Sequence, residues 1–412
     1  MRIFLWWGLL SAGLLAAGPV AGQVLEAERL VVPDSLHRSA AAPPETDLPD
    51  VLRRVFPRLI PPRDTTPPAP GHKYIVVLPV VSYSLTTRGL VQLTSSTAFR
   101  EEDANMSSLV AALTYTQNRQ LILNATPSIW TTGNRYNLVG DWRLMRYPQA
   151  TYGLGMHNRP ADAVQMSYDY LRIYQSVLRQ LRPNLYAGLG YQLDYHWDIR
   201  SERAAQPVSS VSEYRAGVRG RSVSSGLALT ALYDSRGNAI NPPAGGSYLS
   251  LQLRPNLRPL GSDAAYQSLL VDARQYLRLR SGSKNVLALW TYNAFVFGRN
   301  APYLDLPSTG WDMYNNTGRG YIQGRFRGQG LLYTEAEYRF GITRNRLLGG
   351  VVFVNAQSAS EPGGHRFEQV APAGGVGLRL NMNKLSRTNL TVDYGVGRQG
   401  SRGLWFNFGE VF

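Results

Sequence analysis

Arg319 is the residue whose setting most invites chemistry. It stands in Gly318-Arg319-Gly320-Tyr321, in a stretch with glycines at 318, 320, 324, 328 and 330. Glycine supplies backbone angles that other residues resist, so this half reads as a loop. The residues after it alternate. Leu332, Thr334, Ala336, Tyr338 and Phe340 fall on one face, and Tyr333, Glu335, Glu337 and Arg339 on the other. Period two marks a strand with one apolar and one polar face. An arginine on a pliant loop, next in sequence to glutamates on a strand, can form a bidentate, charge-assisted pair. The chemistry on offer is that of a latch: a loop tied to a wall.

Other reactive candidates are sparse. The chain has no cysteine, which removes disulfides, thiol nucleophiles, thiolate metal sites and a lipid-modified cysteine together. The histidines at 37, 72, 157, 196 and 365 show neither H-E-x-x-H nor paired spacing, so no metal site is expected. There is no G-x-S-x-G. The pairs Gly153/Gly155 and Gly188/Gly190 lack the third glycine of a dinucleotide loop. The expectation is a protein that is not an enzyme and carries no cofactor. A second polar pair, Asp234 and Arg236, opens the stretch D-S-R-G-N-A-I-N-P-P-A-G-G, with Asn241 and Pro242 further on. Pro and Gly fix a turn there, and Asp and Arg can pair across it.

These residues need elements to position them. From Lys73 onward the alternating pattern runs to the C-terminus, giving about sixteen strands, the first near 73–86 and the last at 403–412. An even count is what bacterial barrels require. The longest connections, 147–162, 198–222, 300–328 and 358–372, follow the fifth, seventh, eleventh and thirteenth strands. That asymmetry, long loops at one end and short turns at the other, is a barrel's. Asp272, Arg274, Arg278 and Arg280 share one face of a strand. A dry sandwich core would not take such charges unpaired, and a wet lumen would. The formal net charge is +15, and all but three of the 43 basic residues are arginine. They are scattered through the strands and form no arm, which argues against nucleic acid and for a lumen or an anionic lipid surface.

The fold class read here is all-β, a transmembrane antiparallel β-barrel over residues 73–412. Residues 1–22 read as a signal peptide: Arg2, an apolar run from Ile3 to Ala17, and small residues before Gln23. Residues 23–72 carry nine prolines between 43 and 70 and read as a periplasmic linker, with one short amphipathic helix in 51–60.

The G-R-G-Y loop and the A-E-Y-R-F strand resemble the R-G-[FY] loop and following strand of the BamA/TamA superfamily of outer-membrane proteins. That resemblance implies a sixteen-stranded outer-membrane barrel with the loop folded into its lumen, Arg319, Gly320 and Tyr321 forming the latch. Glu337 matches the family's acidic position on strand twelve. Asn355 stands where the family has an aspartate, which implies one accepted hydrogen bond in place of a second carboxylate. Asp234, Arg236, Asn241 and Pro242 match the family's periplasmic turn. Phe406, Phe408 and the terminal Phe412 resemble the signal by which such barrels are recognised for insertion. The family often carries POTRA modules in front of the barrel, and residues 23–72 have neither their length nor their pattern. The implied function is to assist insertion or translocation of outer-membrane proteins or lipids, at a seam between the first strand (near 74–84) and the last. The implied partners are outer-membrane lipids, client outer-membrane proteins, periplasmic accessory proteins and the assembly machinery for its own insertion. The other reading is a passive pore or structural barrel gated by loop 300–328. Few backbone bonds at the seam favour the first reading, and a full ladder the second.

Overall fold

The computed structural model describes residues 44–58, 71–84, 86–201, 214, 216–298, 300–384 and 387–412. The expected signal peptide and most of the proline-rich stretch lie outside the described residues. The described residues form seventeen strands. They are β1 (Tyr74–Ser84), β2 (Arg88–Phe99), β3 (Ser107–Thr116), β4 (Leu121–Trp130), β5 (Tyr136–Arg146), β6 (Gln149–Thr151), β7 (Val164–Arg182), β8 (Leu185–Ser201) and β9 (Gly220–Asp234). Then come β10 (Ser247–Asn256), β11 (Tyr266–Leu277), β12 (Val286–Phe297), β13 (Gly330–Gly341), β14 (Leu348–Ala359), β15 (Ala371–Asn383), β16 (Thr388–Gly397) and β17 (Arg402–Phe408). Sixteen are the strands read from the sequence. The seventeenth, β6, has three residues, too few for periodicity to reveal; it pairs with β7 beside β5. Successive strands pair antiparallel from β1–β2 through β16–β17.

Alternation decides which side each residue faces. On β8, Leu189 and Tyr191 are exposed while Gln192, Asp194 and His196 are buried. On β14 and β15, Val352, Val354, Val376 and Leu378 are exposed while Arg379 is buried. Apolar out and polar in is the pattern of a barrel facing lipid. The lumen corrects one expectation. Its charges do not sit in open water; they are buried and paired. Arg143 binds Asp141 at 2.7 and 2.9 Å. Asp194 is held by Arg172 at 3.3 Å and by Arg254 at 2.6 Å. Arg274 binds Asp272 at 2.9 and 2.6 Å. These side chains are largely withdrawn from water, so each charge needs a protein partner. Arg278 and Arg280 lie past the end of β11, in the exposed turn.

β1 pairs along its whole length with β2, from Tyr74↔Ala98 to Ser84↔Arg88. β17 pairs with β16 from Phe408↔Leu390 to Arg402↔Val396. The two end strands lie beside each other, with Cα atoms approaching within 8 Å. Among the described residues no backbone ladder joins them.

The last strand is shorter than 403–412. Gly409, at φ +94°, turns the chain inward. Gly409 N–H donates to Asn389 O at 2.8 Å and Glu410 N–H to Ile240 O at 2.9 Å. Phe412 therefore leaves the wall, is 2% exposed, and stacks on Trp290 at 5.0 Å between centroids. At the same end of the barrel, helix α1 (Leu48–Val55) begins with a capping box between Asp47 and Asp50. That box starts the helix before residue 51, and Pro57 biases Phe56 out of it. Lys384 tethers the segment: its N–H donates to Asp47 at 3.0 Å and its ammonium to Asp50 at 2.6 Å.

Candidate functional site

The site is the loop between β12 and β13, folded into the barrel. Arg319 is fully buried there. One terminal nitrogen donates to Glu335 and, at 2.5 Å, to Glu337 Oε2. The other donates to Asp393 Oδ2 at 2.5 Å. The guanidinium lies 3.8 Å from the centroid of the Phe353 ring. A planar fork with five donors is the one side chain able to engage carboxylates from β13 and β16 together. The network continues through Arg339 Nε to Glu337 at 2.7 Å, and through Arg379 to Asp393 at 2.5 Å and Glu410 at 2.8 Å. Three arginines thus interleave with four carboxylates.

Asn355 corrects another expectation. It donates: its Nδ2 binds Arg319 O at 2.9 Å and Glu335 Oε2 at 3.3 Å, and its Oδ1 has no partner. The lock is not reduced to one carboxylate, because Glu335 and Asp393 supply what position 355 does not. Sequence reasoning put Glu335 on the right face of its strand and Asp393 on a polar face of its own. What it could not supply was the sheet register and barrel curvature that bring β16 to the same arginine.

Gly320 and Tyr321 seat the loop on a bare wall. Gly320 has φ +104°, and a Cβ added there would lie 2.7 Å from the Ala373 Cβ. A Cβ on Gly395 would lie 2.9 Å from Gly320 N. The Tyr321 ring covers Gly397, where a Cβ would fall 2.6 Å from it. Its hydroxyl donates to Pro372 O at 2.7 Å and accepts from Arg398 N–H at 2.9 Å. We expect Gly320→Ala to weaken seating by about 1–3 kcal/mol through backbone strain and overlap. Limited proteolysis within 318–328 checks it; an unaltered cleavage rate excludes the close-approach argument.

The rest of the loop is held as firmly. Asp312 accepts from Thr317 N–H at 2.7 Å and Asn316 N–H at 3.1 Å. Arg327 donates to the carbonyls of Tyr303, Leu304 and Leu306 at 3.0, 3.2 and 3.1 Å. Asp305 is buried beside Ser224 Oγ at 2.5 Å, Tyr266 Oη at 3.4 Å and His196 Nδ1 at 3.6 Å. Burial, reinforced by the Asp194 carboxylate and opposed by the Ser224 hydrogen bond, Arg254 and Arg172, pushes the Asp305 carboxyl up to about 7. An unfolded aspartate titrates near ~3.9. The folded loop therefore holds the extra proton between these values. Its contribution is complete below ~4 and is lost as pH rises through ~7. Hydrogen exchange of residues 303–306, corrected for intrinsic rate, should show less protection at about pH 8 than at about pH 5.5. Asp305→Asn should flatten that difference.

The turn residues lie together at the opposite end from the long loops. Arg236 forks onto Asp234 at 2.9 and 2.7 Å, Asn241 N–H donates to Asn238 at 2.9 Å, and Pro242 is buried. Phe406 and Phe408 are 38% and 47% exposed on the lipid side, apart from Phe412 in the lumen.

A lipid-facing antiparallel barrel plugged by its own arginine-bearing loop defines a class of outer-membrane protein. The family comparison places it further: residues 105–412 match the Omp85 superfamily domain, and the chain belongs to that superfamily. Among solved structures, BamA from Haemophilus ducreyi lacking POTRA domains 1–3 is similar, with a TM-score of 0.52 and 14% identity. The match covers 82% of this chain and 70% of that one. CdiB from Acinetobacter baumannii matches with a TM-score of 0.51 and 12% identity, over 82% of this chain and 59% of that one. At such identities the likeness is one of fold. No curated protein sequence matches this chain significantly.

Proposed function

We propose that this outer-membrane barrel assists insertion or translocation of outer-membrane proteins or lipids at the seam between β1 and β17. The observation that carries the reading is the seam itself. Consecutive long strands are joined by ladders, yet among the described residues none joins β1 to β17. β1 is saturated on its β2 side, so its other edge offers unpaired N–H and C=O groups. An exposed edge of that kind templates an incoming strand. Pro79 removes one donor from the edge and keeps pairing there incomplete. A passive pore sits poorly with a lumen filled by loop, tail and ion pairs. In this reading residues 1–22 direct export, residues 23–72 lie on the periplasmic side, and the long loops face outward. Clients, lipids and accessory proteins are the partners, and no catalysis is involved.

The test is depletion of the protein followed by quantitative profiling of outer-membrane proteins and of surface-exposed phospholipid. Broad loss of other barrels, or phospholipid at the cell surface, is the expected result. An unchanged profile, together with single-channel conductance from the purified barrel, would replace this reading with the pore.

A further inference from the structure

A basic cavity lies at the periplasmic end, with the latch-cluster residues Arg339, Arg379 and Glu410 in its wall. It measures about 100 Å³ and is walled by Lys284, Arg339, Arg346, Arg379, Lys384 and Arg387, with Glu45 and Glu410 as its acids. Its internal pairing is incomplete. Lys284 is taken by Glu45 at 2.6 Å and Lys384 by Asp50 at 2.6 Å. Arg379 is taken by Asp393 and Glu410. Among the described residues, neither Arg346 nor Arg387 has a carboxylate within 4.0 Å. Among the described residues, the Arg346 guanidinium donates to the Lys284 carbonyl at 3.5 Å and to Asn285 Oδ1 at 3.4 Å. Burial pulls its guanidinium below the usual arginine value, with Glu45 opposing and Arg387 adding to the pull. Arg339 is 7% exposed, and its Nη1 has no hydrogen-bond partner. A buried guanidinium N–H left without an acceptor costs free energy, and Arg339 is a wall residue of a cavity whose free charges are all positive.

We propose that this cavity binds a phosphate oxyanion, taken by Arg346 and Arg387 with the Arg339 guanidinium beside them. Arginine forks suit the shape and charge of phosphate oxygens. The small volume and polar walls admit a head group, not an acyl chain. On the same hairpin, Ile342 and Leu348 are 54% and 40% exposed. The cavity therefore lies at the inner edge of the apolar belt, within reach of phospholipid head groups and of free phosphate esters alike. Glu45, on the segment leading into α1, reaches the cavity and competes for its cations.

Native mass spectrometry and calorimetry of the refolded full chain test this, with inorganic phosphate in one arm and phosphatidylglycerol in the other. Binding of phosphate alone assigns the site to free phosphate esters, and retention of the lipid alone assigns it to a head group. Arg346→Gln with Arg387→Gln should weaken binding about tenfold or more, the loss of two charge-assisted contacts. These are turn residues, and the heat-dependent gel shift of the folded barrel should be unaltered. Glu45→Gln should tighten binding by removing the competing carboxylate. Absence of binding in both arms, equal binding by the arginine variants, or weaker binding by Glu45→Gln would overturn the proposal.

Discussion

Replacing Arg319 with alanine should release the loop from the lumen. The arginine is fully buried and shares donors among Glu335, Glu337 and Asp393. Without it, four carboxylates, Glu410 included, face only Arg339 and Arg379. Removing one partner of a buried ion cluster costs about 3–5 kcal/mol, because the remaining charges lose their compensation. Relief comes by unseating: the loop withdraws and water enters. Protease sites at 318–328 should become accessible, and conductance of the purified barrel should rise. Arg319→Lys should behave nearly as badly, since an ammonium cannot present a planar fork to β13 and β16 at once. Glu335→Gln should cost less, leaving Glu337 and Asp393 on the arginine. Unchanged cleavage in Arg319→Ala would mean that the aromatic and backbone contacts of the loop suffice to seat it.

The barrel was legible because lipid on one side forces an unbroken period-two pattern, and sixteen strands repeat it. The G-R-G-Y loop was legible because its glycines stand in a row. What escaped the sequence was long-range geometry. Asp393 lies 74 residues from Arg319, and only barrel curvature brings them together. Glu335 shares a face with Glu337, but the resemblance singled out Glu337 alone, and the structure uses both. The wet lumen was a wrong inference from a right face assignment. Alternation says which residues point inward but not whether water or protein meets them. Three-residue β6 gave too little pattern to read, and Gly409 alone carried the signal that the terminal strand would break.

That break sets the second large effect. Phe412 does not extend the wall: it stacks on Trp290 at 5.0 Å and lies 5.2 Å from the Arg339 guanidinium. Its main-chain oxygen accepts from Arg339 at 2.8 Å, and the Val411 carbonyl accepts from Asn316 at 2.7 Å. Residues 409–412 thus tie the end of β17 to the latch cluster and to the loop above it. Phe412→Ala should cost about 3–5 kcal/mol of that anchoring, the usual loss for truncating a buried phenylalanine. The tail should lose protection from hydrogen exchange, and the freed Arg339 should loosen its hold on Glu337. Phe408→Ala, on the lipid face, should leave tail protection unaltered. The pair of variants also separates two roles for terminal aromatics. If the tail is an anchor, Phe412→Ala refolds in lipid vesicles but shows rapid exchange at 410–412. If it serves only to be recognised during insertion, exchange stays slow in the folded barrel and the defect appears solely in cells. The burial of Phe412 and the hydrogen bonds accepted by the main-chain oxygens of Val411 and Phe412 argue for the anchor, and slow exchange in Phe412→Ala would refute it.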